Sequence, residues 1–279
     1  MKNRKIWMGV VLTLLCTLLM GVSVFAANTT MKNKKWVTGE CGVFVDTDKD
    51  GVVDDFRSNG KAYYKLKIPK QGYIMVDMKT SKLPKQEEYS KSLEDDWAFA
   101  TSVTLLNSSK KEVDESVFST GERSICFSSA VKKGTYYLRV EGEQKYKLRY
   151  TFKAVGKLSK VGKRAKNAPG LKKGTTAKNL LYPDPQMNVY KISLTKKSKV
   201  SITVQSKIKS LSGLRVQLAV KKGNKYRFVD KKGKILSNDD LIWWPVEGKG
   251  KISATLPKGI YYIKLSTVGG SGYYTLKWK

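Results

Sequence analysis

The 279-residue chain carries 54 lysines and arginines against 23 acidic residues, a formal charge of +31, and contains no histidine. The lack of imidazole excludes Ser-His-Asp and Cys-His nucleophiles and the usual zinc-hydrolase ligand sets. An apolar fraction of 41% is that of a folded chain, and 15 tyrosines favour strands over helices.

Residues 1–26 read as a signal peptide. Lys2, Arg4 and Lys5 open it, an apolar run follows from Ile6 to Val24, and Val24-Phe25-Ala26 supplies a cleavage site. The alternative is an uncleaved N-terminal anchor, since the run is nearly long enough to span a bilayer. Cys16 lies behind Leu14-Leu15, with no small residue before it, which argues against lipid attachment. The expectation is a secreted, extracellular protein, associated with the cell surface and without a membrane span after cleavage. The remaining residues, about 250, suffice for one large or two ordinary domains.

Cys41 and Cys126 are the cysteines left after processing. Outside the cell they could form a disulfide closing a long loop, or stand as two separate thiols; the sequence leaves both open.

Asp46-Thr47-Asp48-Lys49-Asp50-Gly51-Val52-Val53-Asp54-Asp55 is the one motif with specific chemistry. Calcium takes six to eight oxygens, and alternate carboxylates at Asp46, Asp48 and Asp50 fold around one point. Gly51 permits the sharp turn, and Val52 offers a backbone carbonyl. Arg57 stands where an EF-hand has its closing Glu, so Asp54 or Asp55 must complete the set. The loop resembles the shortened calcium loops of bacterial surface proteins and thrombospondin type 3 repeats. It predicts a structural Ca2+ site in the first domain; an acidic Asp-Gly surface turn is the alternative.

The rest of the chain is written twice. Tyr64-Lys65-Leu66-Lys67-Ile68-Pro69-Lys70, running on to Ile74-Met75-Val76-Asp77-Met78, matches Tyr190-Lys191-Ile192-Ser193-Leu194-Thr195-Lys196 and Val200-Ser201-Ile202-Thr203-Val204 without a gap. Lys133-Gly134-Thr135-Tyr136-Tyr137-Leu138-Arg139-Val140 matches Lys258-Gly259-Ile260-Tyr261-Tyr262-Ile263-Lys264-Leu265. Each copy closes on a last strand, Tyr146–Tyr150 or Tyr274–Trp278, and carries a middle one at Val103–Leu106 or Val216–Val220. Apolar residues at every second position with Gly and Lys turns predict antiparallel strands. The fold class is therefore all-β, two tandem jelly-roll-like antiparallel β-sandwich domains after the signal peptide. Boundaries fall at 36–153 and 168–279, joined by a basic linker at 154–167 that is in part mobile. Residues 85–97 form an acidic insertion in the first copy.

These matched motifs resemble the bacterial pre-peptidase C-terminal (PPC) domain, a jelly-roll-like β-sandwich similar to the collagen-binding domains of clostridial collagenases. Pro169-Gly170-Leu171 to Gly174 fits the lead-in of that family. The resemblance covers both halves and implies an accessory or targeting module, commonly appended to secreted hydrolases. This chain departs from that pattern, because no hydrolase domain accompanies the two copies.

Charge is divided unevenly. Residues 27–160 carry 25 basic and 18 acidic side chains; residues 161–279 carry 26 and 5, or +21. Such an excess points to an anionic cell-wall polymer, glycan or extracellular protein as partner, with nucleic acid not expected as the physiological one. Lysine-for-solubility is the bland alternative. Trp243-Trp244-Pro245 offers possible ligand-binding aromatics for a second reading, a carbohydrate-binding accessory module of an extracellular hydrolytic system; packing under a loop is the competing role for these tryptophans. No enzyme is expected. There is no Gly-rich phosphate loop, and Ser108/Lys111 and Ser206/Lys209 match a Ser-x-x-Lys spacing that a lysine-rich chain produces by chance.

Overall fold

Alternation sets the strands. In Tyr64-Lys65-Leu66-Lys67-Ile68 the tyrosine, leucine and isoleucine are buried, while the lysines point outward; Tyr190, Ile192 and Leu194 repeat this with Lys191 and Ser193 outside. A computed structural model describes residues 29–45, 55–58, 60–81, 100–114, 117–120, 124–142, 145–183, 187–209, 213–222, 225–230, 232–236, 244–246, 248–267 and 269–279. The signal segment, Asp46–Asp54, the acidic insertion and Trp243 lie outside them. Among the described residues there is no α-helix, only one 3-10 turn at Ala165–Asn167.

The first unit runs through β1 (Thr29–Thr30), β2 (Val37–Glu40), β3 (Gly42–Val45), β4 (Asp55–Ser58), β5 (Ala62–Ile68), β6 (Gly72–Thr80), β7 (Ala100–Leu106), β8 (Val117–Thr120), β9 (Ser124–Val131), β10 (Gly134–Glu141) and β11 (Lys145–Ala154). The second runs through β12 (Thr176–Leu181), β13 (Asn188–Leu194), β14 (Ser198–Ser206), β15 (Leu214–Lys222), β16 (Lys225–Phe228), β17 (Trp244–Val246), β18 (Lys249–Leu256), β19 (Gly259–Thr267) and β20 (Gly272–Trp278).

Strand order repeats in the two units. One sheet reads β5-β10-β7-β8 in the first and β13-β19-β15-β16 in the second; the other reads β2-β11-β6-β9 and β12-β20-β14-β18. Registers agree as well, with Leu138 opposite Tyr64 and Ile263 opposite Tyr190. The chain is thus all-β, two sandwiches of one topology.

Each pair of sheets closes on its own core. Leu66, Val103 and Leu138 from one sheet meet Ile74, Val76 and Leu148 from the other; Ile192, Leu218 and Ile263 meet Val200, Ile202 and Leu276. Full burial of each such side chain contributes about 1.5–3 kcal/mol.

A buried tyrosine pair repeats too. Tyr64 and Tyr146 join hydroxyls at 2.7 Å, and Tyr190 and Tyr274 do so at 2.9 Å. In the second unit Asn188 Nδ2 also donates to Tyr274 (2.8 Å), whereas the equivalent position of the first is Ala62, which has no side-chain donor. Burial first, then the neighbouring tyrosine, raises the Tyr146 and Tyr274 phenols above the ordinary range. A side chain on Gly39 would collide with the Tyr146 and Tyr64 hydroxyls, which explains a glycine inside β2.

The lead-ins correspond as well, and that of the first unit extends it beyond the limit read from sequence. β1 pairs in parallel with β5, Thr30 opposite Lys65, and Met31 is buried in the first core, so that unit begins before residue 36. Gly170 bridges Lys191 in parallel in the same way. Met31 N–H donates to the Lys65 carbonyl as Leu171 N–H does to Lys191; Lys34 N–H donates to the Tyr150 carbonyl as Gly174 N–H does to Trp278. The turn needs a positive φ, taken by Gly174 at 81° and, against the usual steric preference, by Lys34 at 65°.

The 154–167 stretch is pinned to the second unit. Ser159 N–H bonds the Lys178 carbonyl, Asn179 Nδ2 donates to the Ser159 carbonyl, and Gly162 exchanges both backbone bonds with Val189. The units also meet directly. Tyr73 stacks on Tyr273 at 5.9 Å, beside Met75, Ala130 and Leu180. Ser271 Oγ, fully buried, accepts from Ala130 N–H (2.9 Å), bonds Ser129 Oγ (3.1 Å) and donates to Asp114 Oδ2 (3.2 Å).

Candidate functional site

Among the described residues, five lysines gather around one concavity of the second unit. The lead-in at 170–173 runs beside edge strand β13, and the 194–199 turn carries the chain from β13 to β14 in the other sheet. Between them is a groove of about 610 Å³. Lys172 and Lys173 stand on the lead-in side, Lys191, Lys196 and Lys199 on the other. Leu171, Leu194 and Trp278 supply apolar lining, and Ser193, Thr195 and Ser198 add hydroxyls. All the lysines except half-buried Lys191 are exposed. Among the described residues, no acidic side chain lines the groove.

Its walls are tied together by backbone and core. The Trp278 indole N–H donates to the Leu171 carbonyl at 2.7 Å, and Lys191 N–H donates to the Pro169 carbonyl. The lysines therefore project from a fixed frame rather than a free loop. Such a frame attracts an anion by summed charge and exchanges it readily, since exposed ammonium groups are screened by salt.

The first unit pairs several of its charges internally. Arg139 contacts Glu112 at 2.9 Å and Glu141 at 3.1 Å, Lys61 contacts Glu141 at 2.8 Å, and Arg149 contacts Asp77 at 2.8 Å. In the second unit Asp230 turns its carboxylate to its own loop, accepting the Lys232 and Lys234 backbone N–H groups at 2.8 Å each.

The residues singled out from sequence fare unequally. Asp46, Asp48, Asp50, Val52 and Asp54 lie outside the described residues; Asp55 opens β4, its backbone opposite Val45 of β3. Among the described residues no group of three or more carboxylates and thiols is placed to hold a metal. Trp244 opens β17, its backbone opposite Val216 of β15.

Cys41 and Cys126 are two free thiols, so the disulfide alternative is not the one formed. Cys41 follows β2 and Cys126 sits in β9, and these are the opposite edges of the β2-β11-β6-β9 sheet. Three strand spacings amount to roughly 14 Å, while a disulfide needs Cα atoms within about 7 Å. Burial, then the Glu141 and Glu40 carboxylates, pushes the Cys41 thiol up to about 12.

Of the Ser-x-x-Lys pairs, Ser206 is buried and its Oγ accepts the Ile208 N–H at 3.0 Å, a turn-closing role. Among the described residues no helix is long and apolar enough to cross a membrane.

The sequence reading missed the groove, the tyrosine pairs and the contact between units. The groove left one signal: lysines recur in both the lead-in and the β13–β14 turn.

Strand order and register define the chain as two copies of one β-sandwich. No family model matches it, and no curated protein matches its sequence. Among solved structures it is similar to the pre-peptidase C-terminal domain of the collagenase from Bacillus anthracis, at 19% identity with a TM-score of 0.30; the match covers 42% of this chain, about one unit, and all of that domain. Weaker similarities reach PNGase F, a glycosylasparaginase from Flavobacterium meningosepticum (9% identity, 87% of this chain and 95% of that one, TM-score 0.26), and the M60 catalytic domain with the CBM51-1 and CBM51-2 domains of Clostridium perfringens ZmpB (8%, 89% and 38%, 0.24).

Proposed function

We propose that the protein is a secreted, non-catalytic binding module that holds anionic polymers at the bacterial cell surface or in the extracellular matrix through its basic second unit. The observation that carries this reading is the lysine groove: five lysines and, among the described residues, no carboxylate around one concavity, in the half of the chain with the +21 charge. The first unit, several of whose charges are paired internally, serves as scaffold and is stabilised by calcium at the 46–55 loop. The lack of histidine and the turn-closing role of Ser206 support a non-catalytic role.

The test is retention of the full-length mature protein on purified anionic wall polymer and on a neutral polysaccharide, at low and high salt. Retention on the anionic polymer alone, lost as salt screens the lysines, is expected. Salt-insensitive retention on the neutral polysaccharide would contradict the reading and favour a carbohydrate-binding module.

A further inference from the structure

The two units present the same end differently. In the first, the outer face at the start of β6 and the end of β9 offers Tyr73, Met75 and Ala130, which pack against Tyr273 and Leu180 of the second unit. Register places Lys199, Ser201 and Thr255 at the corresponding positions of the second unit. Lys199 and Thr255 are exposed and Ser201 half-buried. An apolar neighbour could not cover them without desolvating a charge. A docking face in one copy is a cationic face in the other.

The groove follows the same division. Lys172, Lys191 and Lys196 have lysine counterparts in the first unit, Lys32, Lys65 and Lys70. Lys173 and Lys199 do not: their counterparts are Asn33, whose Oδ1 accepts the Phe152 N–H at 2.9 Å, and the stacked Tyr73. These two substitutions put a new cation on each wall of one groove. Among the described residues the lining holds no arginine, although the chain has eight. Arginine pairs a planar carboxylate in a two-bond fork, whereas an ammonium acts as a point charge suited to an oxyanion that looks alike from several directions.

We infer that this groove takes a linear polymer bearing tetrahedral oxyanions, phosphate or sulfate, and that Lys173 and Lys199 determine its affinity. The inference rests on the proposed function and narrows it. Polymer charges lie between the walls, Lys172 and Lys173 on one side and Lys191, Lys196 and Lys199 on the other, while the hydroxyls of Ser193 and Thr195 donate hydrogen bonds; that of Ser198 donates to the Lys196 carbonyl and holds the turn.

The experiment titrates the full-length mature protein with three oligomers of matched length and charge: glycerol phosphate, a sulfated oligosaccharide and oligogalacturonate. The variants are Lys173→Glu/Lys199→Glu and, as an equal change of charge at two exposed lysines of the first unit, Lys110→Glu/Lys111→Glu. The groove pair should weaken phosphate and sulfate binding by about tenfold or more, the control pair by about threefold or less. Carboxylate should bind more weakly than either. A preference for glycerol phosphate over the sulfated oligosaccharide would identify a phosphodiester wall polymer as the source, and the reverse a sulfated glycan. Lys173→Asn/Lys199→Gln should give a smaller loss in the same order, with the thermal midpoint unchanged. Equal losses in the two charge-reversed pairs would overturn the groove while leaving the proposed function standing. Equal binding of the carboxylate would overturn the oxyanion preference. Failure of the unaltered protein to bind any of the three would overturn the proposed function itself.

Discussion

Replacing Ser271 by alanine should loosen the contact between units without touching either core. Its hydroxyl has three partners: the Ala130 N–H, Ser129 Oγ and Asp114 Oδ2. Removal leaves the Ala130 N–H buried without that acceptor and takes a donor from a carboxylate. An orphaned buried donor costs about 1–3 kcal/mol and a bond to a charged group about 1.5–3. Asp114 keeps the Gly270 N–H at 3.0 Å, and Ser128 still bonds Ser271 through both backbone groups, so the net loss should be about 3 kcal/mol. That corresponds to roughly 100-fold more frequent opening of the contact. Native-state hydrogen exchange reads it directly: the Ala130, Ser128 and Ser271 amides should exchange roughly 100-fold faster, with the amides of Leu66 and Ile192 unchanged. Ser253→Ala, at the exposed equivalent of Ser128, should stay within about 0.5 kcal/mol of the parent. Unchanged exchange at the contact, or an equal rise at Leu66 and Ile192, would refute the reasoning.

Tyr274→Phe should destabilise more than Tyr146→Phe in chemical denaturation, because Tyr274 also accepts from Asn188 while Tyr146 bonds Tyr64 and has Ala62 at the position equivalent to Asn188. Both phenols are raised in the folded state, so the unfolded chain gives up its protons first. Their contribution is complete below about pH 10 and falls above it, by up to about 1.4 kcal/mol per pH unit for each tyrosine, and each Phe variant should flatten that alkaline loss. Cys41, pushed up to about 12, should resist alkylation at pH 8 in the native protein and react on unfolding, and a reductant should leave the thermal midpoint unchanged. Calcium should raise the thermal midpoint of the parent and not of Asp48→Ala or Asp50→Ala; an equal rise in all three would exclude the 46–55 loop as its site.

Period-two alternation and the ungapped repeat made most of the fold legible, because strands such as β5 and β13 bury one face and alternate accordingly. The lead-ins were legible in one copy only. Gly174 marks its turn in sequence, but Lys34 adopts the same left-handed backbone with nothing in its residue type to announce it. The contact between units was not legible at all: Asp114, Ser128 and Ser271 are ordinary polar residues, and the Asp114–Ser271 bond joins positions 157 apart. The cysteines show the converse, since an oxidising compartment permits a disulfide that strand order then forbids. The basic half was visible as charge, whereas its concentration at one groove depends on the lead-in and the β13–β14 turn meeting in space.

The central claim is that the second copy has turned a docking end into an anion-binding one. Lysine acetylation of the full-length mature protein, read by mass spectrometry with and without a glycerol phosphate oligomer, tests it most directly. Protection should concentrate on Lys172, Lys173, Lys196 and Lys199 at low salt and vanish at high salt. Protection spread evenly over the exposed lysines, or centred on Lys32, Lys67 and Lys70 of the first unit, would contradict it.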